Sequence, residues 1–354
     1  MTDTQNSNIT THTKTLPVVK CIARARIPTV QGPDIFLHLY ENNVDQKEHL
    51  AIVFGEDIRS RSLYQQRGPH ESQYDRMIRG AYCGKLYPGR KIADTYYSPQ
   101  DTTQVLMQLH FDSVTGELIP ETQTTWDSEN KTMCRIHSEC YTGETAWSAR
   151  CDCGEQFDRA GEFIAYDGFL PILNEKNEKV KVEGGHGHGV IVYLRQEGRG
   201  IGLGEKLKAY NLQDLGHDTM EANLELNHPV DARDFSIGNS ILLDLGLSNI
   251  RLMTNNPQKL KDVEYPPYLH CVERIPMVPL SWEEDGSETH GVNDSSTTLN
   301  TLTTSEMNNS ATLNTNSKHA GIHSKEVEGY LRTKMEKMGH LLSKPLNLHT
   351  NKVE

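Results

Sequence analysis

The sequence predicts an α/β fold, a layered mixed β-sheet flanked by helices with a β-rich N-terminal part. Three observations support this. Runs of β-branched and aromatic residues at 18–23, 35–40 and 50–54 open the ordered sequence as three strands. From Thr132 onward, strand-like and helix-like segments alternate, the pattern of helices layered on a sheet. No stretch approaches the 18 apolar residues of a membrane span, and runs such as 189–194 are strand length.

Taken in order, residues 1–16 are rich in Thr, Asn and Gln and are expected to form a disordered tail. One catalytic domain is expected over 17–282. Within it, the Arg- and Tyr-rich stretch 56–126 is weakly patterned and reads as an insertion of unassigned role. A strand at 133–137 leads to clustered cysteines, and 155–166 carries Phe157, Ala160, Phe163 and Ile164 at helical spacing. Polar residues 174–187 read as a loop, and 190–194 as a strand entering a glycine-rich turn. Helices follow at 205–215 and 235–245, then a strand at 250–253 and a short helix opened by Pro257. Residues 283–325, dominated by Ser, Thr, Asn and Gly, are expected to be a disordered insertion before the C-terminal helix. That helix is placed at 326–345 on the apolar spacing of 330–342, with a tail at 346–354.

The 48 acidic and 36 basic residues give a net charge of −12, which argues against nucleic acid and membrane surfaces as partners. A small anion still fits wherever a few Arg and Lys converge. Seven cysteines, three of them clustered, do not read as a disulfide framework. The N-terminal residues lack the apolar core of a secretory leader, so a cytoplasmic location is expected.

Cys140, Cys151 and Cys153 carry the strongest chemical signal. In an extended strand, Cys151 and Cys153 share a face, Gly154 permits a bend, and the loop 141–150 brings Cys140 back beside them. Three thiolates without a fourth protein ligand leave a zinc position open for water, as in a catalytic site. Two other readings stand beside it: three buried cysteines without metal, or a closed structural site completed by Cys134 or His137. A zinc deaminase is also considered. His137-Ser-Glu139 matches the first half of its signature, but the Pro-Cys-x-x-Cys half is missing. Three thiolates acidify a bound water weakly, so a neighbouring base is needed.

Residues 195–206 place Gly198, Gly200, Gly202 and Gly204 between a strand and a helix. This is neither a Walker loop nor a dinucleotide fingerprint. It reads as a phosphate cradle assisted by Arg195 and Arg199, with a plain glycine-rich connection as the alternative. Asp234 is placed as an N-cap. Taken alone, Asp231 and Arg233 make an ordinary surface ion pair, Lys259 a solvated charge, and His186 and His188 loop residues without a role.

Together these motifs resemble GTP cyclohydrolase II. The resemblance rests on Arg-Ile-His-Ser-Glu-Cys-Tyr-Thr-Gly-Glu at 135–144, Arg-Cys-Asp-Cys-Gly-Glu-Gln at 150–156 and Arg-Gln-Glu-Gly-Arg at 195–199. It continues through Ala-Tyr-Asn-Leu-Gln-Asp at 209–214, Asp-Thr-Met-Glu-Ala-Asn at 218–223, Arg-Asp-Phe at 233–235, Thr-Asn-Asn-Pro at 254–257 and Lys-Met-Gly-His-Leu-Leu at 337–342. It covers 18–54 loosely, 132–279 closely and the terminal helix, and the long segment after Phe54 is similar to the fungal branch. Gly200 departs from the bulkier polar residue often found there. Nothing resembles the dihydroxybutanone phosphate synthase half of bifunctional relatives.

The resemblance implies hydrolysis of GTP in the first step of riboflavin biosynthesis, with release of formate and pyrophosphate. It implies Mg2+ with the substrate triphosphate and one Zn2+ per subunit, held by Cys140, Cys151 and Cys153 in a homodimer. It implies GTP contacts from Arg135, Ile136, His137, Ser138, Glu139, Gln156, Glu197, Gly198, Arg199, Thr219, Thr254 and Lys259. Tyr210 is implied to orient or deprotonate the attacking water, Asp231 to accept a proton, and Arg233 to act as nucleophile toward the guanylyl group. A guanidinium is always protonated at working pH, so charge stabilisation by Arg233 stands as the alternative. An inert nucleotide-binding protein that keeps its metal for structure is the competing class.

Overall fold

The computed structural model describes residues 16–30, 32–93, 110–111, 118–119, 131–264, 268–285, 322 and 324–343. The expected disorder of 1–16 and 283–325, the tail at 346–354 and most of 94–130 lie outside the described residues, apart from a few positions at their edges.

A seven-stranded mixed sheet organises the chain. Its strands are β1 (Val19–Pro28), β2 (Asp34–Asn42), β3 (His49–Phe54), β6 (Thr132–Ser138), β9 (Gly189–Leu194), β10 (Asn249–Met253) and β11 (His270–Ile275), in the order β1-β2-β3-β9-β6-β10-β11. β1, β2, β3 and β9 pair antiparallel, whereas β9, β6, β10 and β11 run parallel. Two small hairpins stand apart from it, β4 (His110–Phe111) with β5 (Leu118–Ile119), and β7 (Phe169–Leu173) with β8 (Lys179–Glu183).

Strand alternation divides the core between the two faces of the sheet. On one face Cys134, Ile136, Val190, Val192, Ile250 and Leu252 pack with Ile237, Ile241, Leu242 and Leu245, which come from or follow α7 (Ser236–Asp244). On the other, Met133, Ile191 and Met253 pack with Ala160, Phe163 and Ile164 of α4 (Cys153–Ala165) and with Ile172 and Val182 of the β7–β8 hairpin. β6 is buried over its first six residues, as a central parallel strand covered on both faces must be. Arg135 and His137 alternate with Cys134 and Ile136, so they fall on the α4 face near the carboxyl end of β6.

The structure corrects several expectations. Cys151 and Cys153 do not share a strand: Cys153 opens α4, and Gly154 lies so close to α3 (Tyr141–Glu144) that a Cβ there would meet the Gly143 carbonyl at 2.4 Å. The loop expected at 174–187 includes β8, because Asn174 accepts the backbone N–H groups of Lys176 and Glu178 and folds a polar hairpin turn. Asp234 is not the N-cap of α7. Phe235 holds that place, while the Asp234 carboxylate accepts the N–H of Ser236 at 2.9 Å. The C-terminal helix is α10 (Lys325–Glu336), capped by Ser324, and ends well before 345. Gly339 then turns the chain in the left-handed region.

Between 56 and 93 the chain forms α1 (Arg61–Tyr64) and α2 (Gln73–Ile78) and adds Ile58, Leu63, Ala81 and Cys83 to the main core. That part of the expected insertion is therefore built into the fold. The remaining helices are α5 (Leu203–Asp214), α6 (Thr219–Glu225), α8 (Pro257–Val263) and α9 (Leu280–Asp285).

Candidate active site

Parallel strands in an open sheet leave a crevice beyond their carboxyl ends. Here the ends of β6, β9 and β10 open into one cleft, closed from the side by the start of α4, by α5 and by α10. Every residue implied for the site lines this cleft except Ile136 and Asp231. Ile136 points into the opposite core, and its carbonyl accepts from Lys259 Nζ at 2.6 Å. Asp231 stands behind Arg233 and binds its guanidinium with both oxygens.

Cys140, Cys151 and Cys153 form the one group of this kind among the described residues, with their sulfurs all within 4.8 Å of one another. Cys140 Sγ and Cys151 Sγ lie 3.7 Å apart. Zn–S bonds of about 2.3 Å in a tetrahedron separate sulfurs by roughly 3.8 Å, so this pair stands at the spacing of zinc ligands, with the third sulfur close by. Neither residue considered as a fourth ligand is available. Cys134 is buried in the core on the other face of the sheet. His137 receives Arg135 Nε on Nδ1 at 3.3 Å, which leaves Nε2 to donate to Glu144 Oε1 at 2.7 Å. Burial keeps that ring neutral by lowering its pKa. The geometry therefore supports an open three-thiolate site over a closed one.

Glu144 holds this edge together. Its carboxylate accepts from His137, from the Cys140 backbone N–H at 2.8 Å and from Tyr193 Oη at 2.6 Å. Lys206 lies on the other side of the trio, with Nζ 3.2 Å from Cys140 Sγ and 2.8 Å from Glu197 Oε1. Its burial opposes the charge, but the Cys140 thiolate and Glu197 outweigh it and raise the pKa. Hydrogen bonds from the neighbouring thiols and the charge of Lys206 lower the Cys140 pKa and favour its thiolate, whereas the same thiol contacts and burial raise that of Cys151. Tyr210 exchanges a hydrogen bond with Thr142 Oγ1 at 2.9 Å, and burial raises its pKa so that it remains a neutral phenol.

The glycine-rich segment leaves β9 as a tight turn, Glu197–Gly200, in which Gly198 and Arg199 take left-handed backbone angles. Gly200 has φ +95° and its backbone packs so closely on the 232 loop that a Cβ would meet the Ala232 carbonyl at 2.9 Å, which excludes a larger residue in this conformation. Glu197 is occupied internally, since it accepts the backbone N–H groups of Tyr141 and Gly198 as well as Lys206. It ties the cradle to the cysteine loop.

The same cleft is cationic. Arg135, Arg199, Arg233, Lys259 and Lys334 all line it, in a chain of net charge −12. Lys259 is buried rather than solvated, over the Phe235 ring at 4.7 Å. Burial and then the charges of Arg233 and Arg135 press its pKa well down. Arg233 stays charged because its pairing with Asp231 overcomes burial, and Asp231 is held below the usual carboxylate range by the same pair. Ser138 Oγ, Arg199 Nη2 and His340 Nε2 are buried polar atoms without a partner among the described residues, and all three residues line the cleft. Unpaired buried polar groups clustered at one cleft point to a polar ligand.

Several lining residues were not singled out from the sequence. Tyr330 and Lys334 come from α10: Tyr330 Oη lies 3.8 Å from Cys153 Sγ, and Lys334 Nζ lies 3.1 Å from Asp152 Oδ1. Lys206, the carboxylate of Glu144 and His340 were likewise unassigned. Ring nitrogens of His186 and His188 hydrogen-bond locally to the carboxylates of Asp167, Glu183 and Asp57.

Residues 95–276 match the family model described as GTP cyclohydrolase II. The GTP cyclohydrolase-2 of Saccharomyces cerevisiae is 62% identical over 336 residues, covering 95% of this chain and 84% of that protein. The GTP cyclohydrolase-2 of Meyerozyma guilliermondii is 55% identical over 336 residues, with 95% and 82% covered. The riboflavin biosynthesis protein RibBA of Chlamydia trachomatis is 36% identical over 330 residues, which cover 93% of this chain but 47% of that longer protein.

Proposed function

The chain belongs to the GTP cyclohydrolase II family, and from that premise we propose how its cleft performs the family's reaction. The enzyme hydrolyses GTP, opens the imidazole ring of guanine and releases formate and pyrophosphate. The product is 2,5-diamino-6-(5-phosphoribosylamino)pyrimidin-4(3H)-one, and the step is the first of riboflavin biosynthesis. The observation that carries the assignment of the cleft is the meeting of three thiols with a cluster of Arg and Lys side chains in one crevice at the carboxyl ends of β6, β9 and β10.

In this reading guanine lies toward the sulfurs and the triphosphate, carried with Mg2+, lies toward Arg199, Arg233, Lys259 and Lys334. Cys140, Cys151 and Cys153 would hold one zinc per subunit, and the ion would supply the Lewis acidity for hydrolysis at C8 of guanine. Arg135 and Gln156 are locked together at 2.7 Å and present fixed donors and acceptors to the purine. Neutral Tyr210, tethered to Thr142, orients the attacking water. Arg233 meets the α-phosphate as a charged donor. Its two-point pairing with Asp231 holds the guanidinium protonated, which favours charge stabilisation over attack.

The protein acts as a cytoplasmic homodimer in this reading. None of the seven cysteines is in a disulfide, as in a reducing compartment, and no helix among the described residues is long and apolar enough to cross a membrane.

The test is a double assay of formate and pyrophosphate from GTP. Wild type is expected to release both. Cys153→Ser is expected to abolish formate while pyrophosphate release partly survives. Equal loss of both, with a collapsed melting transition, would make the metal a structural one.

A further inference from the structure

We infer that His340 is a substrate-contacting residue for the phosphate chain, with its Nε2 held by the C-terminal segment toward an oxygen of the bound nucleoside triphosphate. The assignment rests on the cleft reading above and deepens it.

The position of His340 is fixed from both sides. α10 docks through Val327 and Leu331 into a small core with Leu173, Val278 and Trp282. Beyond the helix, the His340 backbone N–H returns to the Lys334 carbonyl at 2.9 Å. Gly339, with φ +63°, makes the turn that brings the chain back over the cleft. Immediately afterwards, the Leu341 N–H donates to the Asn255 carbonyl at 2.8 Å, in the loop that follows β10, and Leu342 enters the same small core. An imidazole held so firmly on each side is placed, not merely tolerated.

Its chemistry matches the location. His340 lines the cleft together with Arg199, Arg233, Lys259 and Lys334, and its buried Nε2 has no partner among the described residues. A histidine placed only for packing ordinarily has its ring nitrogens engaged. Burial first, and then the charges of Lys334, Arg233, Lys259 and Arg199, hold the ring neutral by pressing its pKa down to about 2. A neutral Nε2–H tautomer donates one hydrogen bond to an anionic oxygen without adding charge to a crowded cationic wall. A polyanion also neutralises the four charges that keep the ring deprotonated, so a bound triphosphate strengthens the contact.

The experiment titrates tripolyphosphate and guanosine separately into zinc-loaded full-length protein by calorimetry, for wild type, His340→Ala and His340→Phe. Tripolyphosphate is expected to bind His340→Ala about tenfold or more weakly, the scale of one hydrogen bond to a charged group, with guanosine affinity unchanged. Unchanged tripolyphosphate affinity overturns the assignment. So does equal weakening of both ligands, which makes His340 a structural residue. Should His340→Ala fail to fold, the same selective loss is read in His340→Phe, whose ring keeps the bulk but carries no N–H donor. Direct binding needs no turnover, so a wild type that releases no formate from GTP sinks the functional reading and leaves this test standing.

Discussion

A single methyl group separates this cysteine trio from one that cannot close on a metal. At Gly143 a Cβ would meet Cys151 Sγ at 2.8 Å and Cys140 Sγ at 3.2 Å, so Gly143→Ala must spread the sulfurs. Zinc content is expected to fall about tenfold or more, the scale at which residues supporting the ligands act, and formate release should fall with it. Stoichiometric zinc measured in a folded Gly143→Ala protein would show that the trio tolerates the spread. The sequence marked the three cysteines but not this constraint. Paired thiols at short spacing signal a metal by themselves, whereas a glycine says nothing about what approaches it. Glu144, Lys206 and His340 were illegible for a related reason. Glu144 lay inside a quoted motif, yet its role depends on His137 and Tyr193 arriving from two strands. Lys206 and His340 owe theirs to Cys140 and to the cationic wall, which only the folded chain brings near.

Elements were legible where burial imposed a period and obscure where polar contacts set the shape. β6, β9 and β10 were found to within a residue or two because central strands covered on both faces are rich in apolar residues, continuously in β9 and interrupted by Arg135 and His137 in β6 and by Arg251 in β10. β11 lies at the sheet edge and buries only its last residue fully, so it left no pattern. α6 was missed although Asp218 and Glu221 form a reciprocal capping box at its start. The segment around α2 shows how a weakly patterned stretch is still fixed. Arg79 binds Glu71 at 2.5 Å and also reaches the carbonyls of Leu63 and Gln65, tying α2 to α1. The Glu71 side chain is 5% exposed, and the hydrogen bond from Arg79 lowers its pKa from 4.5 to about 2. A carboxylate with a depressed folded-state pKa stabilises the fold above its unfolded value and loses that contribution as pH falls through the folded one. Wild type should therefore melt above Glu71→Gln at neutral pH, and the gap should narrow as pH drops from 4.5 toward about 2. A gap in melting temperature that stays constant across that window would remove the ion pair from the account.

At the scale of the whole molecule, two electrostatic fields oppose each other. The chain carries a net charge of −12 and repels a triphosphate at a distance, while the cleft gathers Arg199, Arg233, Lys259 and Lys334 and attracts it at contact. The two act over different lengths. The Debye length is about 30 Å at 0.01 M salt, about 10 Å at 0.1 M and about 3 Å at 1 M. Moderate salt therefore screens the repulsion of the body before it reaches the buried contacts of the cleft, and high salt weakens both. The expected dependence of kcat/KM for the magnesium complex of GTP is a rise from about 0.01 to about 0.1 M ionic strength, followed by a fall toward about 1 M. A monotonic fall over the whole range, measured at fixed free magnesium, would mean that the basic cleft governs approach as well as contact and that the acidic surface is electrostatically silent toward the substrate.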